Sequence, residues 1–103
     1  GDAVEAATAN LFIVRAGAAI TPPVDRGPLP GITRARVLGL CAALGVPSAV
    51  RSIAVSELRS ADEVFITSAV RGVVPVTRLD DAPRAAGPIT AQIATAYTRA
   101  MRA

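Results

Sequence analysis

Two short runs of branched and aromatic apolar residues place the strongest constraint on how this chain can fold. The first is LFIV at residues 11–14, and the second lies within EVFITS at residues 63–68. Unbroken apolar runs of this length, rich in β-branched side chains, are typical of strands buried inside a sheet. The two runs therefore predict buried strands, and Arg15-Ala16-Gly17 predicts a turn that returns the chain through residues 18–21 as a hairpin.

Two segments repeat their apolar residues at helical spacing. The first begins after Gly31, with Thr33 as the predicted N-cap and an apolar stripe that includes Cys41, and it stops at Gly45 and Pro47. The second is opened by Gly87-Pro88 and carries Ile89, Ile93, Ala96, Tyr97 and Ala100 on one face.

Shorter signals complete the prediction. Residues 3–6, 48–53 and 73–78 favour strands, with Pro75 indicating a sheet edge or a bulge. Ser56 is the predicted cap of a short helix over residues 56–61, and the proline-rich residues 22–30 form a loop. The fold class is α+β (mixed α/β), a single layer of mostly β-strands packed with helices in one domain.

The basic residues exclude several kinds of chemistry. All eleven are Arg, and the chain has neither Lys nor His. This excludes catalysis by imidazole, metal sites with His ligands, and a phosphate-binding loop that uses Lys. The arginines are scattered and only three residues are aromatic, so nucleic acid is not an expected partner. No apolar run reaches bilayer length, and the single Cys41 forms no internal disulfide.

The stretch LPGITRARVLGL at residues 29–40 has two compatible interpretations. Pro-Gly before a polar Thr is an ordinary way to start a helix. A helix start is also a seat for an anion, because its free N–H groups and positive dipole end favour negative charge.

Taken in series, EAATANLFIV, TPP, GPLPGITRARVL and ADEVFITSAVRGVVPV, together with the closing helix, resemble the C-terminal half of class IV (fold-type IV) pyridoxal-phosphate enzymes. The resemblance spans roughly residues 1–97. It implies that residues 1–103 are the C-terminal cofactor-binding domain of a D-amino-acid aminotransferase-like fold. It also implies pyridoxal 5'-phosphate as cofactor and an N-terminal half, absent here, that carries the Schiff-base lysine. A chain without that lysine is expected to be inactive alone. Family members are commonly homodimers, so a homodimer is expected. The enzyme is also expected to be cytoplasmic.

The resemblance also implies roles for individual residues. A glutamate at the position of Glu5 lies beside the pyridine nitrogen, where a carboxylate favours the protonated ring. The segment that starts at Gly31 binds the cofactor phosphate, partly through its amides, and a second segment after EVFIT adds contacts, although Ala69 offers only its N–H. Arg71 either meets a substrate carboxylate or is a solvated loop arginine. The implied cofactor residues are Glu5, Gly31, Ile32, Thr33, Ser68 and Ala69.

Three functions follow from this resemblance. The leading expectation is part of a 4-amino-4-deoxychorismate lyase, which releases pyruvate and forms 4-aminobenzoate for folate biosynthesis; the Arg71-Gly72 pair favours it. The alternative is an aminotransferase that acts on branched-chain or D-amino acids. A third possibility is a non-catalytic binding module that keeps this fold, since the chain has no Lys.

Overall fold

A computed structural model describes residues 9–23, 32–68, 71–79, 82–83 and 86–102. The predicted strand at residues 3–6 and most of the predicted loop at residues 22–30 lie outside these ranges. Within them, no helix combines the length and hydropathy needed to cross a bilayer. The elements are β1 (Ala9–Arg15), β2 (Ala18–Thr21), α1 (Ile32–Leu44), β3 (Ser48–Val50), α2 (Val55–Ser60), β4 (Glu63–Ser68), β5 (Gly72–Pro75), β6 (Arg78–Leu79), β7 (Ala82–Pro83) and α3 (Pro88–Arg102).

Five of these strands form one sheet in the order β3-β2-β1-β4-β5. The two strongly apolar runs are therefore neighbours, and they pair antiparallel with Phe12 opposite Phe65. The two rings stack with their centroids 4.8 Å apart. The predicted buried strands are confirmed, because an inner strand has both edges paired and both faces available for burial.

The hairpin prediction is also confirmed. Ala16 and Gly17, between β1 and β2, have φ angles of 50° and 80°. Two central residues with positive φ form the turn whose twist matches paired strands. Asp62 supports the turn, because its carboxylate accepts the N–H of Ala16 at 2.9 Å.

Side-chain alternation along the strands builds a core on each face of the sheet. One core lies against α1 and α3, and the other includes residues next to α2. Cys41 is fully buried in the first core, as predicted, and its burial raises the pKa of the thiol. The buried members of the first core are Phe12, Val14, Ala19, Val37, Cys41, Val46, Phe65 and Ile93. Those of the second are Ile13, Ile20, Ile53, Ala61 and Val64.

Both predicted N-caps are wrong. Helix α1 begins at Ile32, so Thr33 is inside its first turn and its hydroxyl bonds elsewhere. Helix α2 begins at Val55, with Ala54 before it, and the carboxylate of Glu57 accepts the Ala54 N–H at 3.2 Å. The carboxylate on the third residue of α2 thus satisfies the N–H of the residue before the helix, which is one half of a capping box.

Two predicted strands are shorter than expected. Strand β3 ends at Val50, where the side chain of the next residue, Arg51, turns to the carboxylate of Glu57. Strand β5 occupies residues 72–75 instead of 73–78, and the chain after it enters the two-stranded β6-β7 sheet. The prediction for Pro75 is confirmed, because β5 is an edge strand.

The start of α3 depends on a residue that the sequence analysis does not single out. Glu63, at the first position of β4, is only 4% exposed. Its carboxylate accepts the main-chain N–H groups of Ile89 and Thr90 at 3.1 and 2.6 Å. A strand residue therefore satisfies donors at the N-terminus of a helix that is distant in sequence.

Candidate anion-binding site

The start of α1 lies beside the end of β4. The hydroxyl of Thr33 donates a hydrogen bond of 3.1 Å to the carbonyl oxygen of Ser68. Thr33 is only 4% exposed, so this contact is sheltered from water. The two segments that the sequence analysis associates with phosphate therefore meet, although these residues are 35 positions apart.

The first turn of α1 has the chemistry of an anion seat. The first N–H groups of a helix have no acceptor within the helix, and the dipole makes this end positive. No acidic residue lies in this turn to neutralise it. Ile32 is 69% exposed, so the end of the helix is accessible. An anion that reaches it would find donors already in place.

A second contact holds the same turn. The guanidinium of Arg34 donates through Nη2 to the carbonyl oxygen of Pro22 at 3.1 Å, which ties α1 to the end of β2. Its Nε atom is buried and has no hydrogen-bond partner among the described residues. No role for Arg34 is predicted from the sequence, in which its position after Thr33 in GITR is the one signal.

The last residue of β4, Ser68, provides a hydroxyl group. Ser68 is partly buried, and its Oγ accepts the main-chain N–H of Arg71 at 2.9 Å. Since this bond uses a lone pair of the oxygen, the hydroxyl proton of Ser68 remains available for donation. Arg71 itself is exposed at this turn.

The structure thus brings together four of the residues that the resemblance implies. Ile32 and Thr33 begin α1, Ser68 ends β4, and Arg71 follows in the adjoining turn. Glu5, Gly31 and Ala69 lie outside the described residues.

Another concavity lies further along α1 and contains none of these residues. It is a cleft of about 510 Å³ between α1 and α3, with mostly apolar walls. One cation, Arg36, lines it, and its Nη1 lies 3.0 Å from the sulfur of Met101. The lining residues are Arg36, Gly39, Leu40, Tyr97, Ala100 and Met101.

Comparison with known proteins identifies a family. The model described as amino-transferase class IV matches residues 1–79. A Thermotoga maritima protein named "Probable branched-chain-amino-acid aminotransferase" is 42% identical over 96 residues, which are 90% of this chain and 35% of the relative. D-alanine aminotransferase of Bacillus licheniformis is 37% identical over 93% of this chain and 35% of its own length. The chain therefore spans about a third of the length of these curated relatives.

Solved structures share the fold. An aminotransferase from Brucella abortus bound to the cofactor PLP superposes with a TM-score of 0.92 at 34% identity, over all of this chain and 37% of that one. The 4-amino-4-deoxychorismate lyase of Pseudomonas aeruginosa gives a TM-score of 0.83 at 33% identity, over 90% of this chain and 34% of that one.

Proposed function

The chain belongs to the amino-transferase class IV family, and from that premise we propose that it is the C-terminal, cofactor-binding part of a pyridoxal-phosphate-dependent aminotransferase. The observation that carries the proposal is the hydrogen bond from Thr33 to the carbonyl of Ser68. It brings the N-terminus of α1 next to Ser68, and a helix N-terminus with a serine hydroxyl is a set of donors that suits a phosphate monoester.

The residues present fit the phosphate group of this cofactor. The main-chain N–H groups at the start of α1 are neutral donors at a positive helix end, and Ser68 can add one O–H donor. When bound, pyridoxal phosphate supplies an electron sink for breaking bonds at the carbon that bears the substrate amine. The contribution of the described residues is to hold the phosphate and so orient the ring.

Two residue roles extend this proposal. Glu5 would hold the proton on the pyridine nitrogen, since an adjacent carboxylate stabilises the charged ring. Arg71 is exposed in the turn beside Ser68, where its guanidinium is accessible to the carboxylate of a substrate.

We propose amino transfer as the reaction, with branched-chain or D-amino acids as donors. Its support is the names of the two curated relatives, at 42% and 37% identity. This reverses the order in the sequence analysis, where the lyase came first. The lyase remains the second candidate, because the Pseudomonas aeruginosa lyase covers 90% of the chain and the Arg71-Gly72 pair favours it.

The activity also requires groups that this chain lacks. Since the sequence contains no Lys, the lysine that binds the cofactor covalently must come from the rest of the protein. We propose that an N-terminal half supplies it and that the complete enzyme is a homodimer.

Purified full-length protein would test the proposal. We expect an absorbance band from bound pyridoxal phosphate and formation of a new amino acid when L-leucine or D-alanine is supplied with a 2-oxo acid. A parallel reaction with 4-amino-4-deoxychorismate, followed by pyruvate release, tests the lyase. Pyruvate release without amino transfer would favour the second candidate. Failure to bind pyridoxal phosphate would contradict both and favour the non-catalytic module.

A further inference from the structure

We propose that Thr33 is a positioning residue that acts through Ser68, and that its hydroxyl is not a phosphate ligand. This deepens the proposed function and rests on it. In this arrangement Ser68 supplies the side-chain donor, and Thr33 sets where that donor lies relative to the amides of α1.

The first step concerns the single proton of the Thr33 hydroxyl. A hydroxyl has one O–H donor and two lone pairs, and a carbonyl oxygen can only accept. The 3.1 Å contact with the Ser68 carbonyl therefore uses the Thr33 proton. The oxygen atom of Thr33 has only lone pairs left, and a doubly ionised phosphate monoester, which has no hydrogen to donate, cannot bond to them.

The second step concerns the hydroxyl of Ser68, which accepts a hydrogen bond where the hydroxyl of Thr33 donates one. The Oγ of Ser68 accepts the N–H of Arg71 at 2.9 Å, and no acceptor among the described residues takes its proton, which is therefore available. Ser68 is partly exposed, whereas Thr33 is 4% exposed. Ser68 therefore has both an available hydroxyl proton and an accessible side chain, so it can donate to a bound phosphate.

The third step is the effect of the tie on geometry. Thr33 is the second residue of α1 and Ser68 is the last residue of β4, so their bond fixes the spacing between the helix end and the serine. The tie from Arg34 runs to Pro22 and does not touch Ser68. Removing the Thr33 hydroxyl should therefore displace the Ser68 hydroxyl from its position beside the α1 amides, while leaving the other attachment of α1 intact.

The test measures how much the phosphate contributes to binding. Full-length apo-protein is titrated with pyridoxal phosphate and with pyridoxal. The Kd for pyridoxal divided by the Kd for pyridoxal phosphate measures how much the phosphate contributes to binding. Thr33→Val keeps the shape and removes the donor, and we expect it to lower the ratio about three- to tenfold. Thr33→Ser keeps the donor and should rescue the ratio to within about twofold of the wild type. Thr95→Val, on the exposed face of α3, is the matched control and should leave the ratio unchanged.

A double variant separates positioning from direct binding. If Thr33 acts through Ser68, then Thr33→Val in a Ser68→Ala background should have little further effect on the ratio. Additive losses would mean that Thr33 binds the phosphate itself, and they would overturn the inference. Should circular dichroism show Thr33→Val unfolded, Thr33→Ala carries the same expectations.

Failure of the inference differs from failure of the proposed function. Wild-type protein that does not prefer pyridoxal phosphate over pyridoxal would overturn both. Wild-type protein with that preference, alongside a Thr33→Val variant that keeps it, would overturn the inference alone.

Discussion

The carboxylate of Glu63 accepts the main-chain N–H of Thr90 at 2.6 Å, so the first residue of β4 caps the last helix of the fold. The two residues are 27 positions apart. The bond is buried, and the same carboxylate also accepts the N–H of Ile89 at 3.1 Å. A negative group at this point satisfies free donors and complements the positive end of the helix dipole.

Replacing Glu63 should therefore destabilise the fold. Glu63→Gln removes the charge and places the amide NH2 opposite one of the two main-chain N–H donors, and we expect the free energy of unfolding to fall by about 1–3 kcal/mol. Urea unfolding measures this change. Gln92→Ala, on the exposed face of α3, is the control and should stay within about 0.5 kcal/mol of the wild type. An unchanged unfolding midpoint for Glu63→Gln would show that the cap does not stabilise α3.

Gly87 should matter because of Glu63. A β-carbon at position 87 would overlap the Cγ and Cδ atoms of Glu63, whose carboxylate is fixed by its bonds to α3. Gly87→Ala should therefore cost about 1–3 kcal/mol by overpacking. In a Glu63→Ala background the overlap is gone, so the same change should cost much less. Equal costs in the two backgrounds would contradict this explanation.

Gly39 provides the opposite expectation. It lies exposed in the middle of α1, and a β-carbon there would meet nothing within 4 Å. Because Gly is a poor helix former, Gly39→Ala should raise the free energy of unfolding by about 0.5–1 kcal/mol. Thermal or urea unfolding measures the gain, and a loss of stability would indicate that this face is covered in the folded protein.

Glu57 should make stability depend on pH in the acidic range. Its hydrogen bond with Arg51, helped by the Ala54 N–H and by Arg15, lowers the pKa of the carboxyl from 4.5 to about 2. A pKa that is lower in the folded state gives a stabilisation that is present above pH 4.5 and is lost as the pH falls toward about 2. Unfolding midpoints of wild type and Glu57→Gln should therefore converge over that interval.

The size of this effect should depend on salt. The cluster of Arg15, Arg51 and Glu57 lies at the surface, with Arg–Glu contacts of 3.1 and 2.8 Å. Exposed ion pairs contribute little and are screened by salt, so 1 M NaCl should reduce the difference between wild type and Glu57→Gln. A difference that does not respond to salt would argue for a role other than the ion pairs.

The apolar runs were sufficient to predict the centre of the sheet. β1 and β4 were predicted from composition and length alone, because burial on both faces requires continuous apolar sequence. The helices α1 and α3 were predicted for a similar reason, because apolar residues at helical spacing indicate the face of a helix that is buried. Element ends were predicted less well, as the N-caps assigned to Thr33 and Ser56 show.

The amino-acid sequence alone is enough to predict the main helices and strands, the burial of β1 and β4, and a helix start that suits an anion. The hydrogen-bond partners of the polar groups, by contrast, become known only from the packed fold. Thr33 bonds to Ser68 across 35 residues, and Glu63 bonds to Thr90 across 27. The physical reason is that local propensity and apolar spacing act between near neighbours in the chain, whereas a buried donor or acceptor bonds to whatever group the packed fold brings within 3 Å or so.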